Sequence, residues 1–196
     1  LGGEKVLVTE LGGTLVTIAK DVKLQIEFNP TQVAAYRLIG YENRLLAAED
    51  FADDTKDAGE LGSGHTVTAF YELVMAGDDA PVSNDTRYTT REIKPDSAAK
   101  NELFFIKFRY KEPTGTSSRL LTEPVAIREV PLQNASESFR FASAVVEFGL
   151  LLRDSPHKGT ADWNRVRERA GNALGPDEEG YRKEFLGLVQ KAASLH

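Results

Sequence analysis

The chain contains no cysteine. This absence excludes disulfide bonds, thiol nucleophiles and cysteine-ligated metals. Histidine is also scarce, with only His65, His157 and His196. No two of these histidines have the spacing at which a helix presents a pair of ligands to zinc. The sequence therefore argues against a zinc site.

Long apolar runs are missing as well. No stretch approaches the roughly 18 consecutive apolar residues of a transmembrane helix. No signal peptide is present, and the chain begins with Leu1 rather than Met. We expect the chain to be a piece of a larger protein, whose export signal, if it has one, would lie outside this sequence.

The sequence also has few features of phosphate or nucleic-acid binding. The motifs Gly-x-Gly-x-x-Gly and Gly-x-x-x-x-Gly-Lys are absent. The formal net charge is −6, and the Lys and Arg residues are scattered. The mild cluster of Arg165, Arg167 and Arg169 is interpreted as a solvated helix face. These features argue against nucleic acid as a partner.

The composition is that of a folded domain. The chain has 196 residues, of which 41% are apolar and 28% are charged, which is enough for a hydrophobic core. Residues 22–28 alternate, with Leu24 and Ile26 on an apolar face and Lys23 and Gln25 on a wet face. This alternation predicts a strand that covers a core on one side.

Further strands are predicted along the chain. Residues 34–41 are apolar on both faces, which favours a central strand, and residues 67–75 form a third strand. Residues 102–127 predict a hairpin with a Glu-Pro-Thr-Gly turn, and Pro124 indicates an edge position for its second strand. We therefore predict an α+β fold whose first part, residues 21–130, is an antiparallel β-sandwich.

Past the strands the period becomes helical. Three helices are predicted in residues 131–196, and we expect this segment to pack on the sandwich, with Trp163 as its anchor. Ser136 or Ser138 is expected to cap the first helix. The third helix is expected to begin with acidic residues, which favour a helix N-terminus. Its predicted buried residues are Tyr181, Phe185, Leu188 and Ala192.

The first residues of the chain show a different pattern. Leu7, Leu11, Leu15 and Ile18 recur at a spacing that places them on one helical face, interrupted by two glycines. We expect residues 1–20 to be the tail helix of a preceding domain, or a linker from it.

A long polar loop is predicted over residues 42–65, and it carries the main candidate site. Its carboxylates are Asp50, Asp53, Asp54, Asp57 and Glu60. Oxygen ligands of this kind suit Ca²⁺, although their spacing does not match an EF-hand loop. Alternatively, two of these acids could provide general acid–base catalysis in a hydrolase. We favour a solvated acidic loop without a metal.

A serine and a histidine follow in the same loop, in the run Gly62-Ser63-Gly64-His65. The Gly-x-Ser-x-Gly motif of a nucleophilic serine is absent, because position 61 is Leu. A Ser next to a His in sequence rarely has the geometry for proton transfer. A loop that leads into a strand accounts for these residues, so we assign no catalytic residue and no cofactor.

Several stretches of the chain resemble a known bacterial family. The most specific is Tyr-Arg-Leu-Ile-Gly-Tyr-Glu-Asn-Arg at residues 36–44. The others are residues 15–23, 27–30, 57–60, 64–69, 108–111, 139–142 and 149–155. Together they resemble the C-terminal region of YfbK-like bacterial proteins that contain a von Willebrand factor type A domain. The resemblance covers nearly the whole chain.

This resemblance implies an architecture more than an activity. It implies an upstream type A domain, whose last helix would correspond to residues 4–18. It also implies an extracytoplasmic location, because such proteins often look like secreted proteins or lipoproteins. The Asp-x-Ser-x-Ser motif with which type A domains bind a divalent metal is absent from the sequence, so no metal-site residue is carried over.

We therefore expect a non-catalytic accessory or protein-interaction module. Its partners would be the upstream type A domain of the same protein and a further protein, contacted through loops such as residues 42–65. A carboxylate-dependent hydrolase and a Ca²⁺-stabilised structural domain are the alternative hypotheses.

Overall fold

The chain divides into two compact units, which we describe separately. The computed structural model describes residues 16–40, 51–53, 58–77 and 101–195. The first unit comprises residues 1–127 and contains the strands, and the second comprises residues 128–196 and contains the helices. Antiparallel sheets followed by three helices confirm the predicted α+β fold class.

Six strands are described in the first unit. They are β1 (Thr17–Phe28), β2 (Val33–Ile39), β3 (Gly59–Gly62), β4 (Phe70–Met75), β5 (Glu102–Lys111) and β6 (Ser118–Ala126). A four-stranded sheet has the order β3, β1, β5, β6, and β2 pairs with β4 in a second sheet. Every pairing is antiparallel, and β1 is paired along both of its edges.

β1 begins earlier than the sequence pattern predicts. Residues 17–20 belong to this strand, so the prediction of a tail helix over residues 1–20 is wrong at these positions. Residues 1–15 lie outside the described part of the chain. Thr17 and Ile18 are β-branched and favour a strand, and pairing with β3 satisfies the backbone of this end of β1.

Two other strands differ from their predictions. β3 lies within the segment predicted as a loop, because its pairing with β1 is a tertiary contact with little local signal. β2 is not central, since among the described residues it pairs only with β4. One of its faces is buried at Val33 and Ala35, whereas Tyr36 on the other face is 42% exposed and packs against Phe28 with ring centroids 4.3 Å apart.

The hairpin of β5 and β6 agrees with its prediction. The turn between the two strands is closed by the amide of Gly115, which donates to the carbonyl of Glu112 at 2.9 Å. β6 lies at the edge of the sheet, and Pro124 is paired with Phe105 of β5. An edge strand tolerates proline because one row of its amides has no strand to bond.

Three helices are described in the second unit, after a 3₁₀-helix at Leu132–Asn134. They are α1 (Glu137–Leu152), α2 (Trp163–Gly171) and α3 (Tyr181–Ala193). Ser136 caps α1 as predicted, because its hydroxyl accepts a hydrogen bond from the amide of Phe139 at 3.2 Å. Among the described residues, no helix combines the length and apolar character that crossing a membrane requires.

α3 begins later than predicted. The acidic residues 177–179 precede the helix, and its N-cap is Gly180, whose φ of 74° is in the left-handed region. Asp177 still stabilises the helix start, since its two carboxylate oxygens accept from the amides of Arg182 and Lys183 at 2.9 and 3.0 Å. These amides belong to the first turn, where the helix itself supplies no acceptor.

The buried face of α3 also differs by one residue from its prediction. Leu188 is 50% exposed, whereas Val189 is 1% exposed. Phe185, Val189 and Ala192 have the spacing i, i+4 and i+7, which places them on one face. Leu188 follows Phe185 by three residues, so the sequence pattern alone does not distinguish it from Val189.

Small side chains form the centre of the second unit. The buried cluster consists of Ala144, Val166, Ala170 and Val189. Aromatic rings pack around it, with Phe148 at 5.8 Å from Trp163 and 5.2 Å from Phe185 between ring centroids. Trp163 therefore packs within the helical unit. That this segment packs on the sandwich stays a prediction.

Removing the cap of α2 should destabilise the helical unit. The carboxylate of Asp162 accepts from the amides of Asn164 and Arg165 at 2.9 and 3.0 Å. We expect Asp162→Ala to lower the free energy of unfolding by about 1 kcal/mol, because these amides lose their acceptor. Asp162→Asn is the matched control. It should lower the free energy of unfolding by only a few tenths of a kcal/mol, because the side-chain oxygen of Asn can still accept from these amides.

The measurement is urea unfolding followed by tryptophan fluorescence, which reports on this unit because Trp163 is the single tryptophan of the chain. An alanine variant as stable as the asparagine variant would contradict the capping role.

Candidate functional site

The predicted acidic loop is described in part. Asp50, Asp54 and Asp57 lie outside the described residues, and Asp53 and Glu60 lie within them. Glu60 belongs to β3, and its carboxylate accepts a hydrogen bond from the hydroxyl of Thr17 on β1 at 3.2 Å. The backbone carbonyl of Asp53 accepts a hydrogen bond from the ammonium of Lys23 on β1. Within the described ranges, no three His, Cys, Asp or Glu side chains are grouped so that they could hold a metal ion. The Ca²⁺ site therefore stays a hypothesis, and Asp53 contributes a backbone contact.

Lys23 is a buried cation in the first unit. It is only 4% exposed, although the alternation of β1 predicts it on the wet face. A buried ammonium is stable only when polar groups surround it, and the carbonyl of Asp53 is such a group. Phe51, which is also buried, comes two residues earlier. Residues 51–53 thus cover this part of β1, which local sequence does not reveal.

A bulge at Asp21 interrupts the alternation of β1 before the predicted stretch. Asp21 has a φ of 51°, and the register shifts there towards both β3 and β5. The ammonium of Lys111 on β5 lies 2.7 Å from the Asp21 carboxylate. This hydrogen-bonded ion pair, together with the backbone amide of Ala58, holds the pKa of Asp21 below its ordinary value of 3.8, against the opposing effect of desolvation.

The ionised state of Asp21 limits its chemistry. A carboxyl group that donates a proton near neutral pH needs a raised pKa, whereas the pKa of Asp21 is lowered. Its arrangement with Lys111 is that of a structural ion pair at a strand bulge.

Two histidines of the sequence analysis lie in exposed turns. His65 is exposed, and its amide donates to the carbonyl of Gly62 at 3.1 Å. The amide of Ser63 donates to the carbonyl of Val16 at 2.8 Å, so this run continues the edge of the sheet. His157 is also exposed, and its amide donates to the hydroxyl of Ser155 at 3.2 Å. These contacts agree with the structural interpretation of the run around His65.

An exposed row of apolar side chains crosses the four-stranded sheet. Leu24 of β1 pairs with Phe108 of β5, and Phe108 pairs with Leu121 of β6. We call these three residues the apolar row. Leu24 is 55% exposed and Leu121 is 57% exposed, while Phe108 is partly buried. Because directly paired residues point to the same side of a sheet, the row is a continuous apolar strip.

The same face of the sheet is covered at its other end. Phe28 packs against Phe104 of the same sheet, and it contacts Tyr36 and Tyr71 of the second sheet with ring centroids 4.3 and 5.3 Å apart. Four residues of a strand separate Phe28 from Leu24, or about 13 Å. Within the described residues, the second sheet therefore covers the Phe28 end of this face, and Leu24 and Leu121 at the other end are exposed.

The opposite face of the sheet is charged. Lys107 of β5 lies 2.8 Å from Glu27 of β1 in an ion pair, and Arg109 of β5 is in register with Lys23. Leu120, which is 50% exposed, lies on this charged face because it pairs with Arg109. The sheet thus presents two different surfaces, and the apolar row is the stronger candidate for contact with another protein.

The ion pair of Asp21 should make the stability of the sheet depend on acid. Because the folded pKa is lowered, the stabilisation is present above the unfolded pKa of about 4 and is lost as the pH falls through the folded pKa. In Asp21→Asn this contribution is absent at every pH, so we expect a smaller loss of stability on acidification. Asn also tolerates the left-handed backbone.

The measurement compares urea midpoints at about pH 6 and about pH 3 by circular dichroism. Glu112→Gln is the control, because it removes a carboxylate from an exposed ion pair with Arg119. Its urea midpoint should change between the two pH values as much as that of the wild type. If Asp21→Asn lost as much stability on acidification as the wild type, the Asp21–Lys111 ion pair would not be the source of the acid dependence.

Comparison with known proteins identifies relatives over almost the whole chain. A family model described as "Uncharacterized protein YfbK, C-terminal" matches residues 13–195. The curated "Uncharacterized protein YfbK" of Escherichia coli (strain K12) is 40% identical over 190 residues, which are 96% of this chain and 32% of that relative. No solved structure matches. The chain therefore spans about a third of the curated relative that it matches, and it belongs to the YfbK C-terminal family.

Proposed function

We propose that the chain is a non-catalytic accessory module of a larger protein, and that its apolar row docks on the part of that protein which precedes it. The exposure of Leu24 and Leu121 carries the proposal. Each leucine is a little over half exposed, so it forgoes roughly half of the about 1.5–3 kcal/mol that burial from full exposure would bring. A partner surface that covers the row would recover part of that gain.

The length of the relative supports a partner within the same polypeptide. About two thirds of the relative lies outside the match, and the family model is described as C-terminal. A domain that is joined to this chain has a high effective concentration, so a small apolar strip suffices to hold it. From the family resemblance, we propose that this domain is a type A domain and that the parent protein is extracytoplasmic.

The contacts of Asp21 support a structural role for this carboxylate. Asp21 is held ionised by Lys111, which is opposite to the state that a general acid requires. Of the two described members of the acidic loop, Asp53 contacts Lys23 through its backbone, and Glu60 accepts a hydrogen bond from the Thr17 hydroxyl. We therefore assign both aspartates to the folding of the sheet.

The docking proposal predicts a loss of binding when the row is made polar. The preceding region of the full-length protein would be produced separately and titrated with the 196-residue chain by calorimetry. We expect the double variant Leu24→Ser, Leu121→Ser to bind about 30-fold more weakly, because roughly 2 kcal/mol of apolar burial is lost.

Leu120→Ser is the matched control. It changes a leucine of similar exposure on β6 that lies on the charged face, and it should bind like the wild type. Equal binding by the double variant and the control would refute docking through the apolar row. Circular dichroism of each variant verifies that the fold is retained.

The Ca²⁺-stabilised alternative leads to a different result. If the acidic loop holds no structural Ca²⁺, excess EDTA and excess CaCl₂ should both leave the melting temperature unchanged. A ligand that binds the native state must raise the melting temperature. Differential scanning calorimetry of the chain distinguishes these outcomes, and a melting temperature that rises with the Ca²⁺ concentration would favour the alternative.

A further inference from the structure

β6 forms the longer edge of the four-stranded sheet. The strand order places β6 at one end of the sheet and β3 at the other. β6 has nine residues, whereas β3 has only four. Within the described part of the chain β6 pairs with β5 alone, and residues 119–124 are all exposed. An exposed edge of this length can pair with a strand of another molecule.

The backbone of β6 determines which residues face this open edge. The amide of Ile127 donates to the carbonyl of Asn101 at 2.8 Å, so the backbone of residue 127 faces β5. The register shift near the start of β5 adds its extra residue to β5, so β6 keeps a regular alternation. Because successive residues of a strand point their backbone groups to opposite edges, Leu120, Thr122 and Pro124 face the open edge. Proline fits there, since it has no amide to donate to β5.

The side chains of β6 are self-complementary about Leu121. In an antiparallel pairing of two copies with Leu121 on the two-fold axis, Arg119 of one copy lies opposite Glu123 of the other, and the symmetry repeats this pair. Opposite charges directly across two strands stabilise their pairing. The amides and carbonyls of Leu120 and Thr122, which face the open edge, would bond those of the second copy.

This register is favoured over its neighbours. Moving the axis by one residue in either direction places Leu121 opposite a charged side chain, that of Arg119 or of Glu123. With the axis at Leu121, the same leucine of the two copies meets on the axis, where paired side chains lie close together. Pro124 then lies opposite Ser118 at the outer end of the paired stretch, where its missing amide costs least.

Arg119 already has a contact within its own chain, but that contact is weak. Its Nη1 lies 3.1 Å from Oε1 of Glu112, and the two side chains are 64% and 43% exposed. An ion pair that remains in water contributes little to stability. Arg119 can therefore exchange Glu112 for Glu123 of a second copy at small cost.

The pairing would also join the apolar rows of two copies. Leu121 is the last member of the row on β6, and it is 57% exposed. When it meets its equivalent on the axis, the row continues from one sheet into the next. On the other face, Leu120, which is 50% exposed, lies opposite Thr122 of the second copy. Apolar surface is therefore removed from water on both faces.

We propose that two copies of the chain associate by antiparallel pairing of β6, with Leu121 on the two-fold axis. The inference does not rest on docking of the preceding region. Self-association is measured with the chain alone, whereas docking requires the preceding region. Either can therefore fail without the other.

The test is sedimentation equilibrium of the 196-residue chain from about 10 µM to about 1 mM, a range suited to a small interface. We expect a monomer–dimer equilibrium. Arg119→Glu and Glu123→Arg, each alone, should weaken association at least about tenfold, because both symmetric ion pairs become repulsive. Arg167→Glu, on the exposed surface of α2, changes the net charge as Arg119→Glu does and should alter the affinity less than about twofold.

Mixing the two charge variants tests the register itself. Arg119→Glu leaves two acidic side chains at positions 119 and 123, and Glu123→Arg leaves two basic ones. Every cross-strand pair between the two variants is then of opposite charge. We expect an equimolar mixture, with one variant fluorescently labelled, to form a heterodimer within about threefold of the wild-type affinity.

The self-pairing is refuted if the wild-type chain stays monomeric over the whole range, which would leave the edge to a strand of a different protein. It is also refuted if neither charge variant weakens the dimer more than Arg167→Glu does. A mixture that associates no better than each variant alone would exclude the register about Leu121. Circular dichroism of each variant verifies that the fold is retained.

Discussion

The fold of the sheet unit depends on how β1 is held between its two neighbours. β1 pairs with β3 along one edge and with β5 along the other. At Asp21 a bulge shifts both registers, and the Lys111 ion pair holds the bulged residue in its left-handed conformation. A bulge inserts an unpaired residue, so Lys20 and Lys23, which pair with Lys111 and Arg109, lie on the same face of the sheet. Residues 51–53 bury Lys23 on that face, and Leu24 on the other face is exposed.

The exposure of Leu24 connects the fold to the proposed role of the chain. Apolar side chains continue along β1 from Leu24 to Phe28, but the second sheet covers only the Phe28 end, through Tyr36 and Tyr71. The uncovered apolar strip is the surface that the proposed docking would use. A module that belongs to a longer polypeptide can use a surface of this size.

The helical unit is organised by polar contacts at the ends of its helices. Arg182 donates to the carbonyls of Ala173 and Leu174, which follow α2, at 2.8 and 3.2 Å. Its guanidinium also lies 4.9 Å from the centre of the Phe141 ring. One side chain thus bonds backbone carbonyls beyond one helix and packs against another.

The sequence by itself determined the features that depend on near neighbours. The strand alternation near Ile26, the turn at Gly115, the edge position of Pro124 and the cap at Ser136 are signals within a few residues, because turns, caps and strand periods are local. The same locality explains the ambiguity between Leu188 and Val189, which an isolated helix presents almost equally well.

Tertiary structure decided the features that join distant residues. Lys23 meets the carbonyl of Asp53 across 30 positions of sequence, and Arg169 meets Glu147 across 22. The exposure of Leu24 follows from a sheet that covers only part of a face. Such contacts depend on which segments become neighbours after folding, and the free energy of burying a side chain depends on that neighbourhood rather than on the residue alone.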